Sequence, residues 1–116
     1  MSIKRIGAGA RMSKAVVHGG VIYTAGQVAE AAKGGPVADQ TREILGLIDT
    51  ILQEAGSEKA KILSATIYLA DIATFAEMNS VWDLWVDKSN PPARATVEAK
   101  LVTPDYKVEI AVIAAK

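Results

Sequence analysis

Two charged residues stand where charge is least expected in this sequence. Arg94 directly follows Asn90-Pro91-Pro92-Ala93, and Glu109 falls between Val108 and Ile110. A guanidinium at the mouth of a strand, held by a stiff proline segment, suits two-pronged capture of a planar carboxylate. The plain alternative is a surface arginine paired with a nearby acid, since most arginines are exposed. Glu109 interrupts an otherwise apolar run, so its carboxylate either faces water or lies in a crevice fit for general acid–base work. Its alternative is an ion pair with Lys107, which strand alternation places on the same face. At this point both residues carry two readings.

Other chemistry is sparse. His18 is the single histidine and sits just before Gly19-Gly20, so it reads as a turn residue rather than a metal ligand. Cysteine is absent, which removes disulfides, thiolate nucleophiles and Cys-based zinc sites together. Gly19-Gly20 and Gly34-Gly35 lack the strand–GxGxxG–helix context of nucleotide binders, and no P-loop, HExxH or GxSxG motif occurs. Neither a metal nor an organic cofactor is expected.

The chain that must position these groups has 116 residues, 50% of them hydrophobic, which fits one domain over residues 1–116. Thirteen basic residues balance thirteen acidic ones, so no overall field draws in a polyanion and a nucleic-acid partner is not expected. Met1-Ser2-Ile3-Lys4-Arg5 is not followed by the apolar run of a signal peptide. No apolar stretch approaches the roughly 20 residues of a membrane span, so a cytoplasmic location is expected.

Ala15–His18 and Val21–Thr24 read as two strands joined by the glycine turn, with a short strand at Ile3–Ile6 before them. Residues 26–36, rich in Gly, Ala and Pro, read as a loop. Asp39 is the expected N-cap of a helix whose face is Ile44, Ile48, Ile51, Leu52 and Ala55, and Gly56 supplies its left-handed end. Leu63, Ala65, Ile67 and Leu69 alternate as the buried side of a strand. Thr74 and Glu77 have capping-box spacing for a second helix with the stripe Phe75, Met78, Trp82, Trp85 and Val86, and the Trp82–Trp85 pair reads as core or interface. Asn90-Pro91-Pro92 forbids its continuation.

Two last strands, 93–101 and 106–114, complete an α+β order of β-β-α-β-α-β-β, with both helices on one face of a mixed sheet. Near the C-terminus that sheet is apolar on both faces, since Ala111 and Ile113 back the alternation of Val108, Ile110, Val112 and Ala114. Self-association is the economical cover for the second face.

Pro92-Ala93-Arg94-Ala95-Thr96-Val97-Glu98-Ala99, followed by Tyr106-Lys107-Val108-Glu109-Ile110, resembles the C-terminal signature of the Rid, or YjgF-type, imine deaminases. Tyr23-Thr24-Ala25-Gly26-Gln27, Thr66-Ile67-Tyr68-Leu69-Ala70-Asp71 and Phe75-Ala76-Glu77-Met78-Asn79 agree in order and spacing, and the Trp-rich second helix is similar to the YoaB-like branch. The resemblance implies a chorismate-mutase-like fold and a homotrimer with clefts between subunits. It also implies hydrolysis of the 2-imino or enamine acids released by pyridoxal-phosphate enzymes to 2-oxo acids and ammonia, without a cofactor. On this likeness Arg94 clamps the substrate carboxylate and Glu109 orients or activates water. Asn79 and the backbone at Gly26 line the pocket, and Thr96 stands where many members have cysteine.

Two positions depart from the pattern. Met12 replaces the usual tyrosine at the substrate site and Ala25 the usual serine, which removes hydroxyls from the lining. A non-catalytic protein that binds 2-oxo acids or similar carboxylates is therefore the second reading. The family's older label as an RNase and translation inhibitor fits poorly with a neutral chain that has no interleaved basic and aromatic surface. Chorismate mutase chemistry needs several cationic contacts, of which Arg94 alone is identified.

Overall fold

A computed structural model describes residues 2–116. Its strands are β1 (Lys4–Ile6), β2 (Ala15–His18), β3 (Val21–Thr24), β4 (Ile62–Leu69), β5 (Ala93–Glu98) and β6 (Val108–Ala115). Its helices are α1 (Val37–Glu54) and α2 (Phe75–Trp85). One sheet holds all six strands in the order β1-β2-β3-β6-β4-β5. Only β4 and β5 run parallel, and the other pairs are antiparallel. A parallel pair needs a crossover, and α2 supplies it. The mixed sheet with two helices is the architecture expected from the sequence, with β5 ending at Glu98 and β6 starting at Val108, both shorter than read.

Gly19 and Gly20, at φ 62° and 79°, make the β2–β3 turn that only glycine enters without strain. The core lies between the helices and one sheet face: Ile44, Ile48 and Leu52 of α1 and Met78 and Trp82 of α2 are buried against Ile22, Ala65, Ile67, Leu69, Val108, Ile110 and Val112. Val81 of α2 is buried, whereas Phe75, read as part of the core stripe, is 40% exposed. The opposite sheet face carries Tyr23, Leu63, Val97 and Ile113 in the open, of which Ile113 was read onto that face from the sequence.

Three local expectations are overturned. α1 begins at Val37, so Asp39 lies in its first turn instead of capping it, and Pro36 at the cap position makes no side-chain bond. Thr74 has near-helical angles (φ −87°, ψ 8°) rather than the extended backbone of an N-cap, and its hydroxyl donates to the Asp71 carbonyl at 2.6 Å. Glu77 is thereby free of the capping box, and its Oε2 accepts from the Ala38 N–H of α1 at 2.9 Å. Leu63 is exposed because the β4–β6 register shifts between Ile62 and Ser64, so that Leu63 and Ser64 both oppose Ile113.

The far end of α1 is as expected. Gly56 takes φ 81°, and the N–H groups of Gly56 and Ser57 bond the Gln53 and Leu52 carbonyls at 3.1 and 2.8 Å. Buried Gln40 fixes the other end. Its amide donates to the Gly35 and Asp105 carbonyls, and its oxygen accepts from the Lys107 N–H.

Candidate functional site

The β4–α2–β5 crossover places Arg94. Its Cα pairs with Ala65 of β4, and Thr96 pairs with Ile67, so both share the helix-covered side of the sheet at its β5 edge. There the Arg94 guanidinium carbon lies 5.1 Å from the Trp82 ring centre and 5.7 Å from that of Phe75. Asn79 falls between these two rings on α2, four residues after Phe75 and three before Trp82, a spacing that keeps all three on neighbouring rows of the helix. The buried Asn79 Oδ1 and Thr96 Oγ1 have no hydrogen-bond partner among the described residues. Buried polar atoms are nearly always paired, so two unpaired ones at one seam stand out.

Glu109 is on the other side. Its Cα pairs with Tyr68, and Tyr68 and Ala65 point to opposite faces of β4. The carboxylate packs over Gly26, where even an added Cβ would collide with Glu109 Oε2. β3 ends just before this point. The Thr24 hydroxyl accepts the Val112 N–H at 2.9 Å, and Gln27 rejoins β6 through a bridge with Ile110. Thr24 was not singled out from the sequence: the strand end there was read, but not that its hydroxyl would take up an N–H of β6.

Met12 is 58% exposed in the β1–β2 loop, closed by a Gly9 N–H to Met12 carbonyl bond of 2.8 Å. That loop is tied to the Gly26 segment through the Ala25 N–H, which donates to the Lys14 carbonyl at 2.8 Å. His18 is an exposed residue at the turn, as read.

The named residues thus fall into two groups on opposite faces of the sheet. Arg94, Thr96 and Asn79 gather at the α2–β5 seam, while Gly26 and Glu109 share the open sheet face, with the Met12 loop anchored beside them. One chain does not bring Arg94 and Glu109 onto the same face. The surface ion pairs considered for both are absent: the sole ion pair among the described residues is Arg42–Asp39 at 3.1 Å. A cavity of about 380 Å³ between the starts of α1 and α2, lined by Asp71, Glu77 and Lys107 among others, includes no residue of either group. Among the described residues no three His, Asp or Glu side chains cluster to hold a metal ion. No helix there is long and apolar enough to cross a membrane.

The chain matches the family model described as Endoribonuclease L-PSP over residues 2–116. It is 50% identical over 114 residues to a RutC family protein of Haemophilus influenzae, with 98% of each chain covered. To the RutC family protein YoaB of Escherichia coli K12 it is 46% identical over 115 residues, with 99% of each covered. Among solved structures, a YjgF-family protein from Neisseria meningitidis superimposes with a TM-score of 0.96 at 46% identity, covering 100% of this chain and 96% of that one. A Rid-family protein of Yersinia pestis gives 0.87 at 30% identity, covering 94% and 90%.

Proposed function

The chain belongs to the endoribonuclease L-PSP family, which takes in the RutC and YjgF proteins, and from that premise we propose that it hydrolyses reactive 2-imino and enamine acids at clefts between copies of itself. The observation that carries this reading is the back-to-back placement of Arg94 and Glu109 on one sheet. A cleft using both needs the α2–β5 seam of one chain against the open face of a second. The exposed apolar residues of that face, Tyr23, Leu63, Val97 and Ile113, supply the reason for two chains to meet there. A closed ring of three repeats the same contact three times.

In this cleft Arg94 anchors the substrate carboxylate through paired N–H donors. Asn79, Thr96 and the backbone at Gly26 line the pocket, and Met12 contributes an apolar lip. The enamine first tautomerises to the imine. Water then adds its oxygen to the imine carbon while a proton reaches nitrogen, and collapse of the carbinolamine breaks the C–N bond to give a 2-oxo acid and ammonia. An iminium carbon is already electrophilic, so Glu109 has only to orient the water and accept its proton.

The test is ammonia release from enzymatically generated 2-iminobutyrate. Acceleration over buffer that disappears in Arg94→Ala supports the reading, and no acceleration with any imino acid overturns it. Met12 and Ala25, which offer no hydroxyl to the substrate, favour a second reading: a carboxylate-binding protein without turnover. Arg94-dependent thermal stabilisation by 2-oxobutyrate with no ammonia release would select it. The net charge of zero speaks against RNA as the substrate.

A further inference from the structure

We propose that Phe75 and Trp82 are positioning residues for Arg94, an aromatic cradle that holds its guanidinium without neutralising it. The proposal rests on the carboxylate-binding reading above and assigns the device that keeps the anchor ready. Both rings lie within the ~6 Å over which a ring face attracts a cation. They stand seven residues apart, two turns along the same helical face, so α2 presents them as a pair.

A carboxylate would be the usual way to fix an arginine, but it would cancel the charge and occupy two of the five N–H donors. Arg94 has no such partner within 4.0 Å among the described residues, and its guanidinium makes no hydrogen bond to them. Ring faces act differently. They attract the cation through their electron-rich centre and accept no conventional N–H bond, so the donors that radiate in the guanidinium plane stay available.

Trp82 is itself fixed. It is 5% exposed and packs on Trp85 with ring centres 5.3 Å apart, and Trp85 Nε1 donates to Asp49 Oδ2 of α1 at 2.9 Å. Phe75 is the exposed half of the cradle, so it can be changed without opening the core.

Two measurements on wild type, Phe75→Leu and Phe75→Trp decide the matter: calorimetric titration with 2-oxobutyrate, and the Arg94 Nε–Hε resonance, assigned by its loss in Arg94→Lys. Phe75→Leu should weaken binding about 2–5-fold at unchanged assembly state, and Phe75→Trp should restore it. The resonance, shielded by the rings in the wild type, should move downfield in Phe75→Leu and return in Phe75→Trp. Wild-type affinity in Phe75→Leu, or a Phe75→Trp variant that behaves like Phe75→Leu, overturns the positioning role. An Arg94 resonance indifferent to Phe75 overturns the cradle itself. Should the wild type bind no 2-oxobutyrate, the carboxylate reading falls, and the resonance alone then decides whether the cradle exists.

Discussion

At the scale of single residues, Gly26 leaves less room for a side chain than the other glycines, because Glu109 lies against it. A side chain at position 26 would meet the Glu109 carboxylate head-on, and the carboxylate would have to turn away. Gly26→Ala should therefore leave the fold intact but lower imine hydrolysis about 10²-fold, the scale on which a small misplacement of a reacting group acts. Steady-state kinetics with 2-iminobutyrate, alongside a melting curve, would check it; undiminished turnover would show that Glu109 need not stand where it does. Arg94 and Glu109 were both legible in the sequence as charges out of place. Of the groups beside them, Gly26 was placed at the site only through the family resemblance and the rings not at all. The rings beneath Arg94 come from a helix read as core, and Gly26 is 83 residues from Glu109 in the chain, a juxtaposition that periodicity does not encode.

At the scale of elements, the hydrophobic period of α1 was sound and so was its Gly56 end, whereas the signals for helix starts were not. Ile44, Ile48, Ile51 and Leu52 are buried as their spacing requires, because a 3.6-residue repeat leaves α1 a single apolar side. Asp39 and the Thr74–Glu77 pair match local capping patterns, yet tertiary packing outbid both. Glu77 lies near enough to α1 to serve its free N–H instead. Glu77→Ala should consequently destabilise the fold by about 1 kcal/mol, lowering Tm by roughly 3–5 °C, although it lies in α2 and the bond it removes is at the start of α1. Glu77→Gln, which keeps an acceptor, should retain most of that stability; equal losses in the two variants would mean that the carboxylate acts through charge alone. The β4 bulge likewise escaped pattern reading, since Leu63 continues the alternation perfectly until the register with β6 slips.

At the scale of the whole molecule, the sheet separates the Arg94 group from the Gly26–Glu109 group, and the assembly proposed above should be visible in genetics as well as in hydrodynamics. Arg94→Ala and Glu109→Gln each disable one half. Refolded together in equal amounts, the two inactive variants should recover about one quarter of wild-type turnover, since a cleft drawing its halves from two chains at random is intact with one chance in two for each half. Persistent inactivity of the mixture, with exchange of chains verified, would place both groups in one chain's site. The sequence disclosed that the sheet is greasy on both sides, but not that Arg94 and Glu109 turn opposite ways, because that depends on how β4 is registered against two different neighbours. On the function proposed above, this back-to-back arrangement also makes turnover a matter of dosage. Below a threshold abundance, dilution alone would render the molecule inert, and its output would climb more steeply than the number of chains a cell makes.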